Sequence, residues 1–180
     1  SEMEEAVITG IAHDISEMKV TVRHVPDAVG VAAKVFSALA ANMVNMDMII
    51  QNTSLDGATD ISFTCPASDL PRAKEALAEI VPQIGAESVD VEEDVAKISL
   101  VGTGMKSSTG VAAKAFATLG ANNINIIAIS TSPIRLSMVV DAAETQRAVQ
   151  LLHTALDLES ESVFEETQLS AAEIAAKMQQ

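Results

Sequence analysis

Aromatic side chains are almost missing from this chain of 180 residues, which has no Trp, no Tyr and only four Phe. Proteins that bind nucleobases or single-stranded nucleic acid usually stack the bases on exposed aromatic rings, so that class of function has little support here. Cysteine is as scarce: Cys65 stands alone, which excludes an intrachain disulfide and an all-cysteine metal site. The three His show no metal-ligand spacing. We therefore expect no cofactor, no metal ion and no catalytic residue.

Basic residues are also few, with 11 Lys and Arg against 25 Asp and Glu and a formal net charge of −14. A chain this acidic is repelled by phosphate groups, so we expect neither nucleic acid nor a membrane as a partner. Its apolar runs are far shorter than the roughly 20 residues that span a bilayer. The first residues are acidic, where a signal peptide would be basic. These features favour a cytoplasmic protein.

An internal repeat organises the chain. Residues 30–45 and 110–125 are identical at 10 of 16 positions when they are aligned at an offset of 80. Similarity at this level is not expected by chance, and it indicates two copies of one unit. Each copy has the size of a small domain and is too long for a solenoid repeat.

The spacing of apolar residues predicts the element order βαββαβ in each copy, which is the ferredoxin-like unit. The predicted elements of the first copy are strand 19–23, helix 31–42, strands 46–50 and 59–64, helix 71–80 and strand 88–92. Those of the second copy are strand 97–101, helix 111–121, strands 124–129 and 134–140, helix 144–156 and strand 163–164. The expected fold class is α+β, with two antiparallel sheets that carry helices on one face.

One predicted strand, at 6–12, precedes the first copy and has no counterpart there. We expect it to pair with the sheet of the second copy, so that the first domain is inserted into the second. The predicted domains are then 17–94 for the first, 4–16 plus 95–166 for the second, and a tail at 167–180. The tail contains a capping box at 170–173 that opens an Ala-rich segment. It is interpreted either as a frayed end or as a helix that docks on a partner.

The identical stretch lies where a strand turns into a helix. Gly30 and Gly110 precede the two predicted helices, where a missing Cβ permits close approach of a ligand to the backbone. The N-terminus of a helix presents unpaired N–H groups and attracts a carboxylate, and the small side chains of Val31 and Ala32 leave room for one. The alternative is purely structural: glycine serves the turn, and the small residues permit tight packing of helix on sheet.

The first copy also carries groups that suit an ammonium ion. Asp27 lies on the turn before the helix, Asp47 lies on the following strand, and Asn45 and Gln51 add neutral hydrogen-bonding capacity. Together with the helix N-terminus, they predict a site that holds an α-amino acid by both of its charged ends. The alternative for the two acids is a solvated surface.

The second copy lacks this acidic character. Its turn at 105–109 contains no acid, and Ile127 stands at the position of Asp47. We infer that the first copy provides the acidic side of a ligand site. The second copy would provide backbone groups near Asn125 and Ile126.

Several motifs together resemble the regulatory C-terminal region of aspartokinase, which consists of tandem ACT domains. The resemblance is closest to the actinobacterial type, whose small β subunit consists of this region alone, and it covers roughly residues 4 to 165. The segments that carry it are Asp27-x-x-Gly30, Asn45-x-Asp47-Met48-Ile49-x-Gln51-Asn52, Thr59–Cys65, Lys97–Met105 and Ile129–Arg135.

This resemblance implies a function. Aspartokinase transfers the γ-phosphate of ATP to the β-carboxylate of aspartate, and its ACT pair binds threonine, lysine or both and inhibits the kinase. The kinase domain is absent here, so the resemblance implies no enzyme activity for this chain alone. Implied partners are a second copy, in a homodimer formed through the ACT domains, and the catalytic α subunit. A scaffold that dimerises or docks the kinase chain without binding an amino acid is the alternative.

In similar proteins the first ACT domain of one chain meets the second ACT domain of another across a continuous sheet, and the effector binds at that junction. The resemblance implies effector-binding residues in both domains: Asp27, Gly30, Val31, Ala32, Asn45, Met46, Asp47 and Gln51 from the first, and Asn125 and Ile126 from the second domain of the partner.

Overall fold

A computed structural model describes residues 7–27, 29–53, 55–103, 109–158 and 163–165. These residues fall into two compact units, one made of residues from 16 to 93 and the other of residues up to 15 together with those from 94 onwards. We call them the inserted unit and the split unit. Within the described residues, no helix is long and apolar enough to cross a membrane.

The secondary-structure elements are numbered in chain order. The strands are β1 (Val7–Asp14), β2 (Glu17–Pro26), β3 (Ile49–Thr53), β4 (Ala58–Pro66), β5 (Ser88–Glu92), β6 (Val95–Thr103), β7 (Ala128–Ser132), β8 (Arg135–Asp141) and β9 (Val163–Glu165). The helices are α1 (Val31–Ala41), α2 (Leu70–Ile84), α3 (Thr109–Ala121) and α4 (Thr145–Ala155).

The inserted unit has the predicted βαββαβ order. Its four strands lie in the order β3-β4-β2-β5, and every neighbouring pair is antiparallel. Val20, Ile61 and Phe63 from the strands meet Leu39 of α1 and Leu77 of α2 in a buried apolar cluster. Burying side chains of this size contributes about 1.5–3 kcal/mol each, so this cluster is the main source of the unit's stability. The ferredoxin-like fold class is confirmed.

The split unit completes its sheet differently. Its five strands lie in the order β7-β8-β6-β1-β9. β1 pairs antiparallel with β6 along almost its whole length, from Val7 opposite Thr103 to Asp14 opposite Lys97. The expected pairing of the leading strand with the sheet of the second copy is therefore confirmed. β1 holds the position beside the first strand of the repeat that β5 holds in the inserted unit.

The final strand of the second copy does not take the place in the sheet that the βαββαβ order predicts. β9 does not close the sheet beside β6, and it pairs in parallel with the outer edge of β1 over three residues, from Ile11 opposite Val163 to His13 opposite Glu165. The position beside β6 accepts only one strand. The eight residues of β1 form a longer ladder there than the three of β9 could form.

Two strands begin later than the sequence predicts. The strands expected at 46–50 and 124–129 begin at Ile49 and Ala128. Residues just before each start already bond to the neighbouring strand, since the N–H of Asp47 donates to the carbonyl oxygen of Thr64 and that of Ile127 to the carbonyl oxygen of Val139. This is why their sequence resembles that of a strand. The capping-box segment at 170–173 lies outside the described residues.

A buried carboxylate joins the two helices of the inserted unit. Asp69, directly before α2, is completely buried and accepts a hydrogen bond of 2.9 Å from the backbone N–H of Asn45, just after α1. It also forms an ion pair with Arg72, whose guanidinium donates to the carbonyl oxygen of Asn42 at 3.2 Å. We refer to Asp69, Arg72 and the backbone of residues 42–45 as the carboxylate clasp.

Candidate functional site

We call the open space beside Gly30, just before α1, the notch. Gly30 caps α1 with φ 85° and ψ −5°, in the left-handed region that side-chain-bearing residues avoid, and no side chain caps the helix. Nothing lies within 4 Å of where a Cβ would stand on Gly30. The first N–H groups of a helix have no partner inside it, which leaves them for a partner outside the helix. Asp27 is exposed between β2 and α1.

Val31 and Ala32 directly follow Gly30 in the chain. Both are half-buried in the first turn of α1 and pack against the apolar cluster of the inserted unit. The first helical hydrogen bond runs from the N–H of Lys34 to the carbonyl oxygen of Gly30 at 3.1 Å. The strand–turn–helix arrangement predicted for the first copy is present at this point.

The two glycines of the repeat are not equivalent. Gly110 is the second residue of α3 and lies inside the helix, whereas Gly30 lies before α1. Among the described glycines, positive φ values occur at Gly30, Gly57 and Gly85, and Gly110 has none. The expectation that Gly110 precedes its helix is corrected, since the helix of the second copy begins two residues earlier than that of the first. The turn at 104–108 lies outside the described residues.

The two acids of the first copy are far apart within one chain. The N–H of Asp47 donates to the carbonyl oxygen of Thr64, which pairs with Lys19 near the start of β2, whereas Asp27 follows Pro26, which pairs with Ala58. Six residues of β4 separate these two levels, which corresponds to about 20 Å. The expectation that both carboxylates hold one ammonium group is therefore corrected for a single protomer, because an ammonium ion bridges only groups a few ångströms apart.

The other predicted site residues of the first copy also lie at different levels along the sheet. Asn45 and Met46 lie with Asp47 at the far end, where Asn45 joins the carboxylate clasp and Met46 packs on the apolar cluster. Gln51 is exposed on β3 and pairs with Ile61. It lies three residues of β4, about 10 Å, from the level of Ala58 at the notch end.

In the split unit, Asn125 and Ile126 occupy the extended segment between α3 and β7. Asn125 is exposed and lines a small cavity of about 240 Å³, while Ile126 is half-buried against the apolar cluster of this unit. The next residue, Ile127, donates its N–H to the carbonyl oxygen of Val139 at 2.8 Å. This matches the bond of Asp47 in the inserted unit, so Asn125 and Ile126 are the structural counterparts of Asn45 and Met46.

Each unit leaves one corresponding strand at the edge of its sheet. Among the described strands, β3 has only β4 as a neighbour, and β7 has only β8. Ile49 on β3 and Ile129 on β7 are 53% and 47% exposed. An open edge with apolar side chains is a template for pairing with another chain.

The pKa values of Asp60 and Cys65 are both shifted by their surroundings. Asp60 accepts a hydrogen bond of 2.9 Å from the backbone N–H of His24 and pairs with Arg23 at 3.2 Å, and these contacts lower the pKa of its carboxyl, the bond from His24 contributing most. Burial raises the pKa of the Cys65 thiol to about 12, which makes it a poor nucleophile. Within the described part of the chain, no three His, Cys, Asp or Glu side chains are grouped for a metal ion.

Comparison with known proteins identifies the fold's relatives. A family model described as ACT domain matches residues 19–80 and 98–156. The aspartokinase of Mycolicibacterium smegmatis is 48% identical over 158 residues, which cover 87% of this chain and 38% of that protein. The chain thus spans well under half the length of such curated relatives.

Solved structures agree with this result. A chain from the crystal structure of aspartokinase alpha and beta subunits is 45% identical with a TM-score of 0.79, and the match covers 84% of this chain and 100% of that one. The ligand-free regulatory subunit of aspartate kinase from Thermus thermophilus is 35% identical with a TM-score of 0.78, over 82% and 97% of the two chains. The chain therefore belongs to the ACT-domain family and, within it, to the regulatory regions of aspartokinases.

Proposed function

We propose that this chain is the amino-acid sensor of an aspartate kinase and has no kinase activity of its own. In this proposal it binds an end-product amino acid, threonine or lysine or both, and thereby inhibits the phosphorylation of aspartate by a catalytic α subunit in the cytoplasm. The kinship with regulatory subunits supports the regulatory role, and the chemistry of the notch supports the ligand class.

The notch at Gly30 is the observation that supports an amino acid as the ligand. It combines the uncapped N-terminus of α1, open space where a Cβ would stand, and the exposed carboxylate of Asp27. A zwitterion needs both charges close together, because its carboxylate and ammonium groups are joined through one carbon atom. The helix N-terminus suits the first group, and Asp27 suits the second.

The rest of the site comes from a second copy in this proposal. If β3 of one protomer pairs antiparallel with β7 of another, the end of β3 meets the start of the partner's β7. Asn125 and Ile126 of the partner subunit would then approach Gly30, Val31, Ala32 and Gln51. The domain boundaries assigned to this arrangement are 17–94 for the first ACT domain, and 4–16 with 95–166 for the second.

The same pairing gives Asn45, Met46 and Asp47 a different place. They lie at the other end of β3, so they would face the far end of the partner's β7. The corresponding segment of the second repeat, 105–109, has no acid in its sequence. In this proposal the two ends of the paired edges are related by approximate two-fold symmetry, and the junction at Asp27 is the one suited to a zwitterion.

Isothermal titration calorimetry of the full chain with threonine and with lysine tests the sensor role. Asp27→Asn is expected to weaken binding by about 1.5–3 kcal/mol, since it removes a charge-assisted hydrogen bond, which is roughly 10- to 150-fold in affinity. Glu75→Gln on the exposed side of α2 is the matched control and leaves the affinity unchanged. Absence of heat with either amino acid, or unchanged binding in Asp27→Asn, would contradict this assignment.

The exposed edges favour a second candidate, a scaffold that dimerises or docks the catalytic chain without sensing an amino acid. β3 and β7 need no ligand to pair. Sedimentation of the chain distinguishes the two functions: a dimer whose stability does not respond to any of the twenty amino acids supports the scaffold. A dimer strengthened by threonine or lysine supports the sensor.

A further inference from the structure

A second cavity lies within the split unit, on the flank of α4 that faces β1. Its volume is about 660 Å³, and it is lined by His13 of β1 and by a row from α4 that includes Gln146, Val149, Gln150, His153 and Thr154. Val149 is the apolar member of this row. The cavity contains none of the residues of the proposed amino-acid site.

Two of the three histidines of the chain therefore line one cavity. Nδ1 of His13 and Nε2 of His153 are shut off from water and have no hydrogen-bond partner within the described part of the chain. A buried polar atom without a partner costs roughly 1–3 kcal/mol. Because both atoms are closed off, a ligand in the cavity meets the other nitrogen of each ring, or these atoms after a half-turn of the ring.

The inserted unit shows that a histidine is not needed here to hold the fold. His13 pairs with Ile98 of β6, and Val91 of β5 pairs with Val20 of β2 in the same way. Val91 packs against the apolar cluster of its unit. The split unit thus carries an imidazole where its counterpart carries an apolar side chain.

The chemistry of the lining favours a cation over an anion. The described residues around the cavity include no Lys and no Arg, and the whole chain carries a net charge of −14. The volume holds an ion together with bound water, since one water takes about 30 Å³.

We propose that this cavity binds a divalent transition-metal ion of the Zn²⁺ and Ni²⁺ class through the imidazoles of His13 and His153. These are metals for which imidazole is a suitable ligand. Water and the side-chain oxygens of Gln146, Gln150 or Thr154 complete the coordination. A half-turn of either ring about its Cβ–Cγ bond exchanges a nitrogen with a carbon without changing its shape, so binding can also relieve the two unpartnered nitrogens.

The test is calorimetric titration of the full chain, free of any affinity tag, with NiCl₂ and ZnCl₂. We expect one saturable site per chain, and at least about a tenfold loss of affinity in both His13→Gln and His153→Gln, the loss typical even of residues that only support a metal ligand. His24→Gln, which changes the exposed histidine of the inserted unit, is the matched control and keeps the affinity. Absence of binding, binding that survives in both variants, or binding lost in His24→Gln overturns the proposal.

Nuclear magnetic resonance of the unaltered chain gives a readout that does not depend on how the variants fold. With three histidines, the imidazole resonances can be followed one by one. Substoichiometric Ni²⁺ is expected to broaden the signals of His13 and His153 before that of His24. Equal broadening of all three, or of His24 first, contradicts the proposal.

Discussion

The stability of the inserted unit is expected to depend strongly on the carboxylate clasp. Asp69→Ala removes the acceptor for the N–H of Asn45 and the ionic partner of Arg72. The side chain of Asp69 is 0% exposed and that of Arg72 is 37% exposed. Breaking a buried ion pair costs about 3–5 kcal/mol, and water recovers part of this at a half-exposed arginine. We therefore expect the free energy of unfolding to fall by about 2–4 kcal/mol.

The repeat provides a matched control. Glu144 and Arg147 form an ion pair at the same point of the split unit, with an N–O distance of 2.8 Å and exposed fractions of 35% and 48%. An exposed pair of this kind contributes about 0–1 kcal/mol. Glu144→Ala should therefore cost much less than Asp69→Ala, although both changes remove one carboxylate beside one arginine.

Urea unfolding followed by far-ultraviolet circular dichroism is the appropriate assay, because the chain has no Trp or Tyr to report by fluorescence. Hydrogen exchange measured by mass spectrometry shows whether the loss is confined to the inserted unit. If Asp69→Ala costs less than about 1 kcal/mol, the upper range of exposed pairs, or no more than Glu144→Ala, the reasoning from burial fails.

The two glycines of the repeat should respond in opposite directions to alanine: Gly30→Ala is expected to lower stability by about 1–2 kcal/mol because of its positive φ, and Gly110→Ala to raise it by about 0.5–1 kcal/mol because it lies inside α3. Thermal unfolding of both variants checks this, and shifts of the same sign would contradict the assigned conformations. Asp60 should make stability sensitive to acid. Its pKa is lower in the folded chain than in the unfolded chain, so its contribution is present above pH about 4 and is lost as the pH falls through the folded value. The unfolding free energy of Asp60→Asn should therefore depend less on pH between 5 and 2 than that of the unaltered chain, and parallel profiles would remove Asp60 from this role.

The repeat made most of the fold predictable, because two copies of one apolar pattern report on the same elements twice. Local pattern could not locate the starts of β3 and β7, since residues just before them already form backbone hydrogen bonds with β4 and β8. The sequence pattern could not predict the parallel pairing of β9 with β1 for a different reason. Which strand occupies a position in a sheet depends on competition between distant segments, and short sequence windows do not contain that information.

The candidate site was predictable in its chemistry but not in its layout. The sequence motif around Gly30 correctly indicated a strand–turn–helix junction, yet the distance between Asp27 and Asp47 depends on the register of β2 and β4. The clasp at Asp69 was missed, although a signal was present: an acid followed three residues later by arginine occurs at Asp69 and Arg72 and again at Glu144 and Arg147. Comparing the second helices of the two copies would have found it.

The position of β1 beside β6 has a consequence for how the chain acquires its structure during synthesis. β1 leaves the ribosome before its partner β6, which follows only after all 78 residues from 16 to 93 have been made. The inserted unit contains all its own strands and can fold in that interval. The split unit must wait with an unpaired strand and close its sheet across a large separation in sequence, which slows folding and leaves an edge open to wrong partners.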